Sequence, residues 1–174
     1  MKRVIGVLST SLLAGAMLFG ISSPQAHADS APAPYQVVTP GLNGEQTTIG
    51  FDSKTDFENY LKSHPVPKNY KIQPLAQIYS TFYYAYDLQG PYFNVNASRN
   101  PVVITNFTGS NNDTVSSILT HPFGDYTTIY EHWNAEGHAL AIVNNGGYIN
   151  LNGSMGDGAR TWNDEVSSAI VKSK

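Results

Sequence analysis

Two hexapeptides hold the residues best suited to chemistry. Asn112-Asp113-Thr114-Val115-Ser116-Ser117 and Asn163-Asp164-Glu165-Val166-Ser167-Ser168 share the pattern N-D-x-V-S-S and begin 51 residues apart. Asn and Asp offer side-chain oxygens, Ser offers hydroxyls, and a polar loop exposes its carbonyls. Ca²⁺ collects about six to eight such hard ligands, with water filling gaps. Each copy has only one carboxylate among the shared positions, so two copies facing each other could pool donors, each ion taking groups from both. A single copy reads as turn chemistry, in which Asx and Ser side chains bond the neighbouring backbone. Two copies in register tip the reading toward calcium.

The elements around the hexapeptides repeat as well. An aromatic residue precedes a glycine by seven positions upstream of each, Tyr83 with Gly90 and Tyr130 with Gly137, and these pairs lie 47 residues apart. From Pro74 onward, short runs rich in β-branched and aromatic residues alternate with Gly, Asn, Asp, Ser and Pro: Ile78 to Tyr86, Tyr92 to Val95, Val102 to Phe107, Tyr126 to Tyr130, Ala139 to Val143, Tyr148 to Leu151 and Val166 to Val171. That spacing predicts an all-β sandwich or barrel.

Before it, Tyr35 to Phe51 alternates weakly around Asn43-Gly44, a dipeptide suited to a hairpin turn. One helix is predicted from about Ser53 to Lys62. Asp52 or Ser53 can cap it, Asp56 completes a capping box with Ser53, Phe57, Tyr60 and Leu61 share a face, and Pro65 ends it. An apolar stripe this short must pack on something.

The segment Tyr130 to Gly137 followed by Trp162 to Ser168 resembles a βγ-crystallin Greek-key motif: an aromatic, six residues, a glycine, then N/D-N/D-x-x-S/T-S. Tyr83 to Gly90 with Asn112 to Ser117 resembles it too, although Pro91 directly after the glycine departs from the pattern. The resemblance spans about residues 78 to 172. It implies a double Greek-key β-sandwich of βγ-crystallin type, here with an N-terminal extension containing one short helix, and two calcium sites.

In that family the third motif position gives a carbonyl, the fifth a hydroxyl, and the partner motif sends an Asn or Asp across. Thr114 and Ser116 would then hold one ion with Asp164 or Asn163, and Glu165 and Ser167 the other with Asp113 or Asn112. Glu131 and Tyr84, each following a motif aromatic, are weaker carbonyl candidates. So few carboxylates imply dissociation constants of roughly 10⁻⁵ to 10⁻³ M. A related branch inhibits metalloproteinases through a disulfide-stiffened loop, which makes a peptidase inhibitor the alternative reading. This chain has no Cys.

The N-terminus bears on localisation. Lys2 and Arg3 precede an apolar run from Val4 to Ile21, and Ala26-His27-Ala28 follows, the pattern of a secretory signal peptide occupying residues 1–28. Gly6, Gly15, Gly20 and several hydroxyl residues dilute the run and argue against a retained membrane anchor. Removing the peptide leaves eight basic against thirteen acidic residues, a formal charge of −5 with no basic cluster, so nucleic acid is a poor partner. The division expected is a signal peptide at 1–28, an extension or pro-segment at 29–74 whose first residues, Asp29 to Pro34, form a loose tail, and the β domain at 75–174. Partners compatible with secretion are calcium, an extracellular protease or a cell-envelope component.

Other constellations carry less. His64, His121, His132 and His138 lack the zinc-helix spacing and read as surface histidines. Asn150, Asn152 and Ser154 alternate like an EF-hand loop, but Met155 and Thr161 occupy its sixth and twelfth positions and break it. No nucleophile, base and orienting acid form a recognisable set, so a non-enzymatic protein is expected. Tyr79, Tyr83, Tyr84 and Tyr86 could offer a carbohydrate- or protein-binding face.

Overall fold

A computed structural model describes residues 33–41, 46–67 and 78–173. The signal peptide with its cleavage point after Ala28, most of the 29–34 tail, the Asn43-Gly44 turn and the boundary near residue 74 lie outside the described residues.

Among the described residues, ten strands and one α-helix follow in chain order. They are β1 (Tyr35–Pro40), β2 (Gln46–Phe51), α1 (Lys54–Ser63), β3 (Tyr79–Ala85), β4 (Gln89–Asn96), β5 (Thr105–Asn106), β6 (Ser117–Leu119), β7 (Gly124–His132), β8 (Glu136–Val143), β9 (Tyr148–Asn150) and β10 (Ser168–Ser173). They form two sheets, one of six strands in the order β2-β1-β8-β7-β10-β5 and one of four in the order β4-β3-β6-β9.

The order reveals an exchange. Strands β3 to β6 form one four-strand unit and β7 to β10 a second, and each gives its third strand to the other's sheet. Thr105 and Asn106 pair with Ala169 and Ser168, while Tyr148 to Asn150 pair with Leu119 to Ser117. This is the double Greek-key sandwich of βγ-crystallin type that the repeat implies.

Strand alternation fills the space between the sheets. Phe82, Val95, Phe107, Val115 and Ile118 from the first unit meet Ile129, Leu140, Ile142, Ile149, Trp162, Val166 and Val171 from the second. The fourth hexapeptide position is a fully buried valine in both copies, Val115 and Val166, so each polar loop is anchored by its one apolar member.

A second core lies on the outer face of the six-stranded sheet. Ser53 caps α1 by accepting from the Asp56 N–H at 3.1 Å, and the helix lays Phe57, Tyr60 and Leu61 against Val37, Phe51, Tyr126, Tyr130, Ala139 and Ala141. The Tyr126 hydroxyl donates to the His64 carbonyl at 2.6 Å and fixes the helix C-terminus. β1 joins the sheet in parallel with β8, Tyr35 opposite Ala139.

Three local readings change. Ala33 and Pro34 are not loose: the Gln36 amide donates to the Ala33 carbonyl, and Ala139 N–H donates to that of Pro34. The run from Val102 to Phe107 contributes only Thr105–Asn106 to the sheet, while Val102, Val103 and Ile104 stay exposed. β6, three residues long, follows the first hexapeptide without a periodic signal of its own.

The tyrosine cluster divides. Register puts Tyr79, Tyr83 and Tyr92 on the outer face of the four-stranded sheet, opposite to Phe82 and Phe93. Tyr84 instead has its ring against Phe93, and its hydroxyl donates to Asn111.

Candidate functional site

Each hexapeptide sits against the folded hairpin of its own unit. The chain leaves the motif aromatic, turns through two consecutive left-handed residues and returns at the motif glycine. The pairs are Asp87 (φ 56) with Leu88 (φ 59), and Asn134 (φ 60) with Ala135 (φ 62). Gly90 and Gly137 have φ of 78 and 77, a conformation that side chains resist. A Cβ at Gly137 would also come within 2.9 Å of Glu131 Oε2.

The sixth hexapeptide serine braces this turn identically in both units. Ser117 Oγ donates to the Ala85 carbonyl at 2.7 Å and accepts from Leu88 N–H at 3.1 Å; Ser168 Oγ donates to the His132 carbonyl at 2.6 Å and accepts from Ala135 N–H at 3.2 Å. Neither serine was singled out from the sequence, although the repeat contains both.

The two loops also cross-link. Asp113 and Asp164, with φ of 51 and 58, donate their N–H groups to Val166 and Val115 carbonyls of the opposite copy at 3.2 and 3.1 Å. The backbone of the fifth serine is tied to its own motif aromatic, Ser116 N–H to Tyr83 O at 2.8 Å and Ser167 N–H to Tyr130 O at 3.0 Å. Asn112 and Asn163 each donate a side-chain N–H to the aspartate that follows.

Side chains of the fifth serines part company. Ser167 Oγ donates to Asp113 Oδ1 at 3.0 Å, bringing together the hydroxyl and crossing carboxylate that the resemblance assigns to one ion. Ser116 Oγ donates instead to the Tyr84 carbonyl at 3.0 Å. Asp164 makes its side-chain bond with Asn163, and the Thr114 hydroxyl turns back to the Ser110 carbonyl at 2.9 Å. Asn112 Oδ1 accepts from the Trp133 indole N–H at 3.2 Å, and Trp133 is 51% exposed.

The second loop has a further group around it. Glu131, 8% exposed, receives the Arg160 guanidinium on Oε1 at 2.7 Å and His138 Nδ1 on Oε2 at 2.6 Å. Burial alone would raise this carboxyl; the His138 and Arg160 hydrogen bonds outweigh it and bring the pKa down to about 2. Arg160 also reaches Glu165 Oε2 at 3.3 Å and the Asp157 carboxylate. At the first loop the positions of Glu131 and Glu165 are held by Tyr84 and Thr114, and no such cluster forms. No periodicity or motif in the sequence marks Arg160.

Donor chemistry at both loops is all oxygen and suits a hard cation. Among the described residues, no three His, Asp or Glu side chains converge as a metal-binding group, so an ion here would depend on carbonyls, hydroxyls and a crossing carboxylate. One acceptor is orphaned: Asn163 Oδ1 is buried without a hydrogen-bond partner among the described residues, beside Trp162, which is 1% exposed. Such an atom is costly unless something else satisfies it.

His121 corrects the surface-histidine reading. It is buried at the end of the sandwich away from the loops, where Ser80, Thr127 and Asn144 form a chain of short hydrogen bonds toward its Nε2. Burial lowers its pKa to about 4. It fills the space that Gly124 leaves open, since a Cβ there would fall 2.4 Å from His121 Cε1.

The strand exchange, paired folded hairpins and facing loops define a crystallin-type double Greek-key domain. A comparison with solved structures finds similarity to a chain described under "Evolution of the eye lens beta-gamma-crystallin domain fold", 20% identical, covering 60% of this chain and 95% of that one, with a TM-score of 0.43. No family model matches the sequence, and no curated protein does. Among the described residues, no helix is long and apolar enough to cross a membrane.

Proposed function

We propose that this chain is a secreted, non-enzymatic calcium-binding protein in which ions at the two hexapeptide loops stabilise the sandwich. The observation carrying this reading is the 3.0 Å contact between Ser167 Oγ and Asp113 Oδ1, a hydroxyl and a carboxylate from different copies of the repeat. One loop would use the carbonyl of Glu165, the hydroxyl of Ser167 and the carboxylate of Asp113 or the amide of Asn112; the other would use Thr114, Ser116 and Asp164 or Asn163. Glu131 and Tyr84 would add carbonyls. A bound Ca²⁺ supplies positive charge between chain segments distant in sequence. The residues themselves supply the rest: left-handed turns at Asp113 and Asp164 aim the carboxylates, and the two valines hold the loops to the core.

An ion that binds only the folded chain stabilises it by about 2.7 kcal/mol at a hundredfold excess over its dissociation constant. In a chain without disulfides that is a large fraction of ordinary stability. The expected outcome is a rise in melting temperature in millimolar calcium, removed by chelator and by Ser116→Ala combined with Ser167→Ala. A calorimetric trace identical in calcium and in chelator would sink the reading.

A further inference from the structure

The two loops share a backbone but not a charge environment, and the difference centres on one side chain. Carboxylates gather at the second loop: Glu131 in the hairpin, Asp157 in the β9–β10 connection, Glu165 in the hexapeptide, and Asp113 crossing from the first copy. At the first loop the equivalent positions carry Tyr84 and Thr114, and Asp164, the counterpart of Asp113, bonds Asn163 while Ser116 bonds the Tyr84 carbonyl. On charge alone the second loop should be much the stronger cation site.

Arg160 bonds three of these four, Glu131, Asp157 and Glu165. Its Nη1 lies 2.7 Å from Glu131 and 3.3 Å from Glu165, and its Nε bonds Asp157. The connection that delivers it is itself tied down. Arg160 N–H donates to Asp157 Oδ1 at 3.1 Å, Met155 N–H to the Arg160 carbonyl at 3.0 Å, and Trp162 N–H to the Gly153 carbonyl at 3.1 Å. One guanidinium thereby ties the folded hairpin to the β9–β10 connection that carries the second hexapeptide, two segments an ion would otherwise have to draw together. A planar donor fork suits this better than an ammonium, because it addresses several carboxylates in fixed directions.

We infer that Arg160 is the built-in cation of the second loop, holding it closed without metal and leaving the first loop to supply most of the calcium response. This rests on the calcium reading above: the second loop keeps its donors, Ser167 and Asp113, and Arg160 already ties the carboxylates beside it when no ion is bound.

The test compares the protein with Arg160→Gln, and with Arg160→Lys to retain the charge without the fork. Thermal midpoints are read in chelator and in millimolar calcium. Arg160→Gln should lose about 6 °C in chelator, and calcium should restore at least half of that beyond the shift it gives the parent. The extra gain should vanish with a second change, Ser167→Ala, whereas most of the parent's own shift should vanish with Ser116→Ala. Arg160→Lys should show little extra gain. If Arg160→Gln unfolds in chelator and refolds on adding calcium, the result is the same.

The inference is overturned if Arg160→Gln responds to calcium no more than the parent, or stays unfolded in calcium. A parent that shifts while Arg160→Gln gains nothing extra sinks this inference and spares the proposed function. A parent that does not shift while Arg160→Gln does sinks calcium at the first loop and spares this inference.

Discussion

The two copies of the hexapeptide agree in backbone and differ in company. Both place an aspartate in a left-handed turn, both bury the valine that follows two residues later, and both use the final serine to brace a hairpin turned through two left-handed residues. Around the second stand Trp162, Glu131, Glu165 and Arg160; around the first, at matching places, stand Asn111, Tyr84, Thr114 and Gly109. A repeated motif therefore specifies how a loop is shaped, whereas the charge around it is set by residues that the two copies do not share.

The largest way to break the equivalence is at the residue just before each hexapeptide. Trp162→Ala empties a buried site and should cost about 4 kcal/mol in urea unfolding. Asn111→Ala removes an acceptor for the Tyr84 hydroxyl in a partly exposed setting and should cost about 1 kcal/mol. Equal losses would show that the copies are packed alike.

Acid separates the loop end of the sandwich from the opposite end. His121 has a folded pKa of about 4 against an ordinary 6.5, so the unfolded chain takes up a proton first, and stability falls as pH drops from about 6.5 to 4. The loss amounts to about 3 kcal/mol. Glu131 shifts from 4.5 to about 2, so the stability it contributes is intact above 4.5 and is lost as pH falls toward 2. The far end should weaken first and the Arg160 cluster last. In His121→Gln the loss between pH 6.5 and 4 should largely disappear; an unchanged pH profile would remove His121 from this account.

The smallest effect tests what the copies share. Ser117→Ala and Ser168→Ala each break one donated and one accepted bond to the hairpin and should each cost about 1 kcal/mol, the same in calcium and in chelator. A calcium-dependent difference between them would mean the sixth serine belongs to the ion site.

Much of this was legible because it is local or repeated. The Ser53 and Asp56 capping pair announces α1, the 51-residue offset pairs the loops, and the aromatic-to-glycine spacing locates both folded hairpins. What was not legible depends on partners far along the chain. Val102 to Ile104 look like strand residues but find no strand to pair with, while the three residues of β6 are short and still lie between β3 and β9. His121 reads as polar and is buried because Ser80, Thr127 and Asn144 converge on it from elsewhere in the sequence. Arg160 has Asp157 and Glu165 close by in sequence, but the buried partner that ties it to the hairpin, Glu131, reaches it only through folding.

The exchange of third strands also sets an order of events. Chain synthesis delivers β5 more than sixty residues ahead of β10, the strand on which Thr105 and Asn106 are registered. β10 itself lies between β7 and β5, so β5 is attached to the larger sheet only when this late segment arrives. Such distant pairings make folding slow for a domain of this size. A nascent first unit emerges with an edge waiting for its second, and clipping Ser168–Ser173 would strip one side of the larger sheet back to β7 and leave β5 with nothing to join.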